Sequence, residues 1–492
     1  MNTILNSILQ TSAKTPKAVA IIEQDKQLNY LQLHNFIEKL SDELASLKAS
    51  AVAIYMDNNS SWIISDLAAA NIGLTVVPIP LFFTKAQITH LLSDANIDVI
   101  ITCQDMLNQL SIKPQSVSVS DVIDITYVNL INKDANTGLQ DVSKITYTSG
   151  STGNPKGVCL SGDTIESVVL SLATQLTLAG IQRHLSLLPF ATLLENIAGV
   201  YLPLFMGNAV ITGSVNDFGL KSNHQFCAKT FINANKKWQA NSVILLPQML
   251  KAIAEQKQPQ HLSSFTFMAV GGGKVSSDLI EQCHTQQLPI YEGYGLSECA
   301  SVVSLNTPIA HKVGSVGKPL PHVKLAINSS GELIVKGSKM QGYLNDTQIN
   351  HDHIENIATG DIAYIDEDGF LFITGRSKNL LISSFGRNIS PEWVESSFLI
   401  SDKIQQIFVY GDAQPYLSAV VVPSKNSTIE SVNQVIAKVN SSLPDYAQVQ
   451  SFIIENNIFS VENGLLTENG KLRRDKLTQI YKYTLSPLEA VI

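Results

Sequence analysis

Cysteine is scarce and scattered in this chain of 492 residues. The five cysteines are Cys103, Cys159, Cys227, Cys283 and Cys299. Their number is odd and no Cys-x-x-Cys pair occurs, whereas disulfide frameworks and structural zinc sites need paired or closely spaced cysteines. We therefore expect neither, and the composition fits a protein of the reducing cytoplasm.

Long basic blocks and long apolar runs are also missing. The net charge is −8, and the short basic run at residues 471–474 is too small for a nucleic-acid surface. The N-terminal residues lack the basic region and the apolar stretch of a secretory signal. The most apolar stretch, residues 187–213, is interrupted by Pro189, Glu195 and Asn196, and a membrane-spanning helix needs about 20 mostly apolar residues. We expect no nucleic-acid partner and no transmembrane segment.

The length and the residue pattern predict a multidomain α/β protein. Hydrophobic residues make up 45% of the chain, and this length predicts two or three domains. Residues 30–47 and 62–72 have apolar side chains at helical spacing, and short apolar runs at 51–55 and 75–79 are typical of buried strands. Such alternation favours parallel sheets covered by helices. From about residue 312, glycines and short strands indicate a β-rich subdomain.

A loop rich in Gly, Ser and Thr carries the clearest chemical signal. Residues 147–157 are Tyr-Thr-Ser-Gly-Ser-Thr-Gly-Asn-Pro-Lys-Gly. Glycine lets backbone N–H groups approach a phosphate closely, hydroxyl groups add donors, and Lys156 adds a positive charge. The loop is not a Walker A motif, because Lys156 follows Pro155 and precedes Gly157. Residues 271–273, three glycines, offer a second place where backbone can lie against a ligand.

The chain resembles the adenylate-forming enzymes, the superfamily of acyl-CoA synthetases, adenylation domains and luciferases. The motifs that carry the resemblance follow the family's order: the loop at 147–157, Tyr-Gly-Leu-Ser-Glu at 294–298, Thr-Gly-Asp at 359–361 with Arg376, the segment 384–395, and the lysine motif at 465–474. One departure is Ser297, which stands where the family usually has Thr. Any one motif is weak to moderate, but five in order are highly specific.

The resemblance implies a site for ATP and Mg²⁺. It implies that Tyr294 offers a flat face to adenine and that Asp361 and Arg376 bind the ribose hydroxyls. The residues implied in nucleotide binding are Thr148, Ser149, Gly150, Ser151, Thr152, Gly153, Lys156, Gly272, Tyr294, Gly295, Ser297, Asp361 and Arg376. Those implied in catalysis are Lys156, Glu298 and Lys471, and Glu298 and Thr148 would supply hard oxygen ligands to Mg²⁺.

The resemblance also implies two domains and two reaction steps. An N-terminal domain of residues 1–376 would be followed by a small, mobile α+β domain of residues 377–492, which carries Lys471 and turns about a hinge at Lys378. In the family, a carboxylate attacks the α-phosphate of ATP, pyrophosphate leaves, and a thiol then takes the acyl group. The thiol could be coenzyme A or the phosphopantetheine of an acyl carrier protein.

The acid is the least specified part. Residues 188–196 partly resemble a segment of long-chain fatty acyl-CoA synthetases, with Thr192 and Asn196 in place of His and Arg. We expect a medium- or long-chain fatty acid, and an aryl acid stays open. Ala191 stands where an amino-acid-activating domain would have an aspartate, which disfavours an α-amino acid.

The residues expected to line the acid pocket are Phe190, Ala191, Gly271 and Gly273. The three consecutive glycines would leave room for a chain, because they carry no side chain beyond hydrogen.

Two other classes of protein could use such a loop. A P-loop NTPase or kinase would not need the motifs around Tyr294, Asp361 and Lys471. A non-catalytic relative would keep the fold and lose the chemistry, but the presence of both Glu298 and Lys471 argues against it. His351 and His353 have a metal-like spacing, yet they lie among Asn and Asp residues, and we interpret them as solvent-exposed.

Overall fold

The structure is a computed structural model. It describes residues 1–107, 110, 114–130, 141–148, 155–221, 225–256, 259–337, 340–345, 356–385, 387–467 and 470–485. His351 and His353 therefore lie outside the described residues.

Helices and strands alternate through the first two thirds of the chain. The described helices are α1 (Asn2–Lys14), α2 (Tyr30–Ser46), α3 (Ser60–Asn71), α4 (Lys85–Asp94), α5 (Gln104–Leu107), α6 (Gly162–Leu176), α7 (Leu202–Phe205), α8 (Ala228–Trp238), α9 (Pro247–Ala254), α10 (Ser277–Thr285), α11 (Pro391–Phe398), α12 (Ile429–Asn440) and α13 (Arg474–Leu485).

The described strands are β1 (Val19–Glu23), β2 (Lys26–Asn29), β3 (Ala51–Tyr55), β4 (Thr75–Pro78), β5 (Val99–Thr102), β6 (Ser116–Val119), β7 (Thr126–Asn129), β8 (Lys144–Thr148), β9 (Lys156–Leu160), β10 (Arg183–Leu185), β11 (Ala209–Thr212), β12 (Ser242–Leu245), β13 (Phe267–Val270), β14 (Ile290–Tyr294), β15 (Ser304–Leu305), β16 (Lys318–Pro319), β17 (Lys324–Ile327), β18 (Glu332–Lys336), β19 (Met340–Tyr343), β20 (Asn356–Ile365), β21 (Leu371–Arg376), β22 (Leu381–Ile382), β23 (Asn388–Ile389), β24 (Ile404–Tyr410), β25 (Leu417–Pro423) and β26 (Val449–Ile454).

Two large mixed sheets build the N-terminal part of the molecule. In the described residues, the first sheet has the order β16-β15-β14-β13-β12-β10-β11-β1-β2 and is parallel from β14 to β1. The second has the order β19-β9-β8-β4-β3-β5-β7-β6 and is parallel from β8 to β5. The predicted α/β class with helix-covered parallel sheets is confirmed.

Local sequence explains the elements that position these sheets. β3 is buried at all five positions, as expected of a central parallel strand with a continuous apolar sequence. Helix α2 begins at a capping box. The Asn29 side chain accepts from the Gln32 backbone N–H, and the Gln32 side chain accepts from the Asn29 backbone N–H. Its buried face, which includes Leu33, Ile37 and Leu40, recurs at helical spacing.

The last third of the chain forms two smaller units. The sheet β17-β18-β20-β21 is antiparallel and matches the predicted β-rich subdomain. The sheet β24-β25-β26, with helices α11 to α13, is the predicted α+β unit. Among the described residues, its hydrophobic clusters contain only positions from Leu381 onward. The exact domain boundary at residue 376 stays a prediction.

None of the helices in the described part of the chain is long and apolar enough to cross a bilayer.

A lysine is buried inside the large N-terminal part. Lys144, which begins β8, is 1% exposed. Its Nζ donates to Asp66 at 2.8 Å, to the Asn196 side-chain oxygen at 2.5 Å and to the Tyr201 hydroxyl oxygen at 2.8 Å. Asn196 Nδ2 and the Tyr201 hydroxyl in turn donate to Asp66 at 2.9 and 2.5 Å. Buried charges are tolerated only when paired and hydrogen-bonded, so this cluster holds α3, β8 and the π-helix Glu195–Tyr201 together.

We expect Lys144→Met to destabilise the protein strongly, because it leaves Asp66 buried without its cation. Breaking a buried pair from one side costs about 3–5 kcal/mol of unfolding free energy. Denaturant unfolding followed by fluorescence measures the loss. The matched control is Lys237→Met, since Lys237 is exposed and pairs with the exposed Asp25, and exposed pairs contribute about 0–1 kcal/mol. Recovery of stability in the double variant Asp66→Asn/Lys144→Met would confirm that the unpaired Asp66 causes the loss. Equal losses in Lys144→Met and Lys237→Met would contradict it.

Candidate active site

The predicted phosphate loop connects two antiparallel strands. Thr148 ends β8, Lys156 begins β9, and the two residues are paired across the hairpin. Lys156 is exposed and Thr148 is half-buried. The residues between them that were assigned to phosphate, Ser149, Gly150, Ser151, Thr152 and Gly153, lie outside the described residues.

The Tyr-Gly-Leu-Ser-Glu motif begins at Tyr294, the last residue of β14 in the first large sheet. Ser297 and Glu298 lie in the short 3₁₀ turn Ser297–Cys299, and both are half-buried. Gly295 is required by packing, since a Cβ at this position would lie 1.5 Å from the backbone oxygen of Ser301. The fold therefore requires the glycine of the motif, while the Tyr294 hydroxyl contacts Asp361 and the Glu298 carboxylate contacts Tyr343.

A carboxylate held by an arginine and a tyrosine marks the centre of the site. Asp361 on β20 is paired with Arg376 on β21, and Arg376 Nε contacts Asp361 Oδ1 at 2.7 Å. The Tyr294 hydroxyl donates to Asp361 Oδ2 at 2.6 Å. Burial raises the pKa of the Asp361 carboxyl, and the Arg376 guanidinium opposes that shift. Each carboxylate oxygen still has a lone pair that could accept a further hydroxyl.

Lys471 of the C-terminal unit interacts electrostatically with this carboxylate. A Cβ on the preceding Gly470 would lie 3.9 Å from Gln248 Nε2, which places the lysine segment beside α9. Lys471 keeps part of its surface exposed to solvent, yet the protein around it removes enough water that desolvation lowers the pKa of its amine. Arg376 lowers that pKa further, while Asp361 raises it.

The predicted hinge residue lies close to the same charges. Lys378 is exposed in the 3₁₀ turn Ser377–Asn379, directly after β21, and it interacts electrostatically with Lys471. A polar contact joins the two parts of the chain nearby, since Lys251 Nζ of α9 donates to the backbone oxygen of Ser401 at 3.0 Å.

Arg474 anchors the end of the lysine motif. Its Nε contacts Glu392 Oε1 at 3.2 Å, and its Nη2 contacts Glu395. Burial raises the pKa of Glu395 to about 7, and Arg474 opposes that shift. The arginine thereby fixes the start of α13, three residues after Lys471, to α11. Sequence reasoning named Arg474 as part of a motif but did not foresee this pairing, because Glu392 and Glu395 are distant in the chain.

Tyr343 is a site residue that sequence reasoning missed. Its hydroxyl donates to Glu298 Oε1 at 2.8 Å, and Lys156 Nζ lies over its ring, 5.5 Å from the centroid. The pairing of β19 with β9 produces this contact. A single tyrosine in residues 340–343 carries no local signal for it, since the two strands are almost two hundred positions apart.

The residues predicted to line the acid pocket differ in their surroundings. Phe190 is 1% exposed and its ring packs against Trp62 at 5.2 Å, so it belongs to the core. Ala191 is half-buried. A Cβ on Gly271 would lie 3.2 Å from the Gly293 oxygen, and one on Gly273 would lie 3.4 Å from Pro247. Gly271 therefore lies close to a neighbouring backbone, whereas Gly273 is exposed and makes an ordinary contact. The assignment of these residues to the acid pocket stays a prediction.

The acidic residues present suit a metal that binds together with a nucleotide. Across the described part of the chain, no group of three or more His, Cys, Asp or Glu side chains could hold a metal ion. Mg²⁺ needs only one or two carboxylates when substrate phosphates supply the other oxygens. Glu298 fits that role, because Tyr343 occupies only one of its two carboxylate oxygens. Gly272 is exposed, has φ +81° and follows β13. The neighbouring strand of the same sheet is β14, which precedes the turn that contains Glu298.

Comparison with known proteins gives two family matches. The model for AMP-binding enzymes matches residues 9–344, and the model for the C-terminal domain of AMP-binding enzymes matches residues 378–488. A 2-succinylbenzoate–CoA ligase of Bacillus velezensis is 25% identical, with 98% of this chain and 99% of the relative covered.

Solved structures share the fold over almost the whole chain. An O-succinylbenzoate coenzyme A synthetase from Bacillus subtilis, in complex with ATP and magnesium ion, has a TM-score of 0.75 at 21% identity, covering 96% of this chain and 99% of its own. An anthranilate CoA ligase in complex with anthranoyl-AMP has a TM-score of 0.78 at 17% identity, covering 98% and 97%. The predicted architecture of a large N-terminal and a small C-terminal domain is confirmed.

We expect the two charged neighbours of Lys471 to move its pKa in opposite directions. Asp361→Asn removes a negative charge that favours the protonated amine, so the pKa falls further. Arg376→Met removes a positive charge that disfavours it, so the pKa rises. Reductive methylation with ¹³C-formaldehyde and NMR titration of the dimethyl-lysine signals measures both shifts, and Lys471→Ala identifies the signal. Shifts of the same sign in the two variants would contradict this arrangement.

Proposed function

Because this chain belongs to the AMP-binding enzyme family, we propose that it activates an aryl carboxylic acid with ATP and transfers the acyl group to coenzyme A. Family membership confirms the resemblance to adenylate-forming enzymes and the expectation of an AMP-forming acid–thiol ligase of the acyl-CoA synthetase type. The acid, the thiol and the roles of individual residues are our proposal.

The contacts of Tyr294 and Arg376 with Asp361, together with the electrostatic interaction of Lys471 with the same carboxylate, carry the proposal. Lys471 comes from the C-terminal unit, the ion pair from the β-rich subdomain, and Tyr294 from the first large sheet. A flexible cation beside a carboxylate and a guanidinium can bind an anion and a sugar hydroxyl side by side. This combination is what a nucleoside triphosphate presents near its α-phosphate.

The proposed reaction depends mainly on positioning and charge. Asp361 accepts hydrogen bonds from the ribose hydroxyls, Arg376 donates to them, and Tyr294 lies against the adenine. Lys156 holds the phosphates that leave, and Lys471 binds both the acid's carboxylate and the α-phosphate that it attacks. Preorganised donors of this kind stabilise the charge that develops in the transition state. Mg²⁺ held by Glu298 and Thr148 would offset negative charge on the phosphates.

Two relatives support an aryl acid over the fatty acid expected from the sequence. The Bacillus velezensis protein, which matches this chain over nearly its full length, is a 2-succinylbenzoate–CoA ligase, and one solved structure of the same fold is an anthranilate CoA ligase.

The names of the relatives favour coenzyme A as the thiol, since both proteins are named as CoA ligases. In the second step, the thiol sulfur attacks the acyl carbonyl carbon of the acyl-adenylate, a carbon–sulfur bond forms, and AMP leaves with the electrons of the acyl–oxygen bond. An acyl carrier protein, the alternative acceptor, receives no support from the comparisons.

Carboxylate-dependent ATP–pyrophosphate exchange tests the proposal. We expect exchange with aryl acids such as 2-succinylbenzoate, and little with fatty acids of graded length or with α-amino acids. Lys471→Ala should slow exchange by about 10²–10³-fold, the usual effect of losing one preorganised donor, while Lys476→Ala, an exposed lysine of α13, serves as the control. Exchange with fatty acids alone would overturn the aryl class, and exchange with no acid would overturn the adenylation proposal.

We expect Lys378→Pro to slow thioester formation more than adenylation. The proposed hinge must change its backbone angles between the two steps, and proline fixes φ and removes an N–H. Pre-steady-state measurement of acyl-adenylate formation and of acyl-CoA formation separates the steps. Lys378→Ala, which removes the charge and leaves the backbone free, should affect both steps little. Equal slowing of the two steps by proline would contradict the hinge.

A further inference from the structure

We propose that Tyr343 is a positioning residue that holds the phosphate-binding lysine and the magnesium-binding carboxylate in place before ATP binds. The inference rests on the proposed function, because it assigns Lys156 and Glu298 to ATP and Mg²⁺. It goes beyond that proposal by assigning a role to a residue that neither the motifs nor the comparisons identify.

Tyr343 contacts two groups that belong to different sheets. Lys156 begins β9 of the second large sheet, whereas Glu298 follows β14 of the first. The Tyr343 hydroxyl donates to Glu298 Oε1 at 2.8 Å, and the Lys156 ammonium lies 5.5 Å from the centroid of its ring. One side chain thus contacts both groups.

The backbone places Tyr343 there. β19 pairs with β9 in antiparallel fashion, with Tyr343 opposite Val158, and the Leu344 N–H donates to the Gly157 oxygen at 2.8 Å. Gly157 is required for this approach, because a Cβ there would lie 2.9 Å from Ile145 and 3.2 Å from Leu344. Gly157, the residue after Lys156, therefore permits the strand pairing that places Tyr343 close to Lys156.

Each contact has a separate consequence. The hydrogen bond occupies one oxygen of Glu298 and fixes the carboxylate plane, so that the other oxygen is presented to a cation. Partners of this kind around metal-binding carboxylates commonly change metal affinity or activity by about 10–100-fold when removed. The ring limits the freedom of Lys156, which is otherwise an exposed and flexible side chain, through a cation–π contact.

Two substitutions separate the contacts. Tyr343→Phe removes the hydroxyl and keeps the ring, whereas Tyr343→Leu removes both. Binding is measured by calorimetry with an ATP analogue that has a methylene group between the α- and β-phosphorus atoms, over a series of Mg²⁺ concentrations. Electron paramagnetic resonance of bound Mn²⁺ reports the metal directly, independently of catalysis.

Tyr343→Phe should weaken the metal affinity of the protein–analogue complex by about 10–100-fold, with metal-free binding of the analogue retained. Tyr343→Leu should weaken metal-free binding as well, by about 2–5-fold, as expected for one cation–π contact. Glu298→Gln and Tyr343→Phe should not be additive, because the tyrosine acts through that carboxylate.

Tyr481→Phe is the matched control. Its hydroxyl donates to Glu455 at 2.7 Å in the C-terminal unit, so the variant loses the same kind of hydrogen bond away from the site. An unchanged metal affinity in Tyr343→Phe, or equal losses in the two phenylalanine variants, would overturn the positioning role. Failure of the wild-type protein to bind the analogue would instead overturn the proposed function itself.

Discussion

The buried carboxylate of Asp361 is the constraint on which the arrangement of the site depends. A carboxylate that is 4% exposed needs a cation and hydrogen-bond donors, since an unpaired buried charge is very costly. Its donors come from separate parts of the chain: Tyr294 from the first large sheet and Arg376 from the neighbouring strand. Lys471 adds a favourable charge from the C-terminal unit. Satisfying this single group therefore joins the first large sheet to the β-rich subdomain, and it leaves a carboxylate that attracts Lys471 of the C-terminal unit.

The sequence predicted the local elements and the chemical motifs, but not their long-range partners. Runs such as 51–55 became strands where predicted, because a continuous apolar sequence has few alternatives in a buried sheet. Asp361 and Arg376 were predicted together from a motif, and they are indeed paired across two strands. The contacts of Tyr343 and the cluster around Lys144 were not predictable, since both arise from strand and helix packing between residues far apart in the chain.

The expectation of a fatty acid came from residues 188–196, and the contacts of this segment are mainly structural. Glu195, which carried part of that resemblance, is completely buried; it contacts His184 Nε2 at 3.0 Å and accepts from the Leu188 N–H at 3.3 Å. Gly199 leaves room for this pair, because a Cβ there would overlap the Glu195 carboxylate. The partners of Glu195 within the fold account for this residue without any contact to the acid. The segment therefore indicates the fold more than the substrate.

The contacts between the C-terminal unit and the rest of the molecule are of the kind that a moving domain can break. The hydrophobic clusters of this unit are its own across the described residues, so little apolar surface is lost on separation. The cross-contacts include a hydrogen bond from Lys251 to the Ser401 oxygen and the electrostatic interaction of Lys471 with Asp361. Water can replace polar partners at low cost, whereas it cannot replace a shared apolar core. Arg474, by contrast, binds Glu392 and Glu395 within the unit. Lys471 would therefore travel with a rigid unit, and the position of that unit would determine whether the lysine lies beside Asp361.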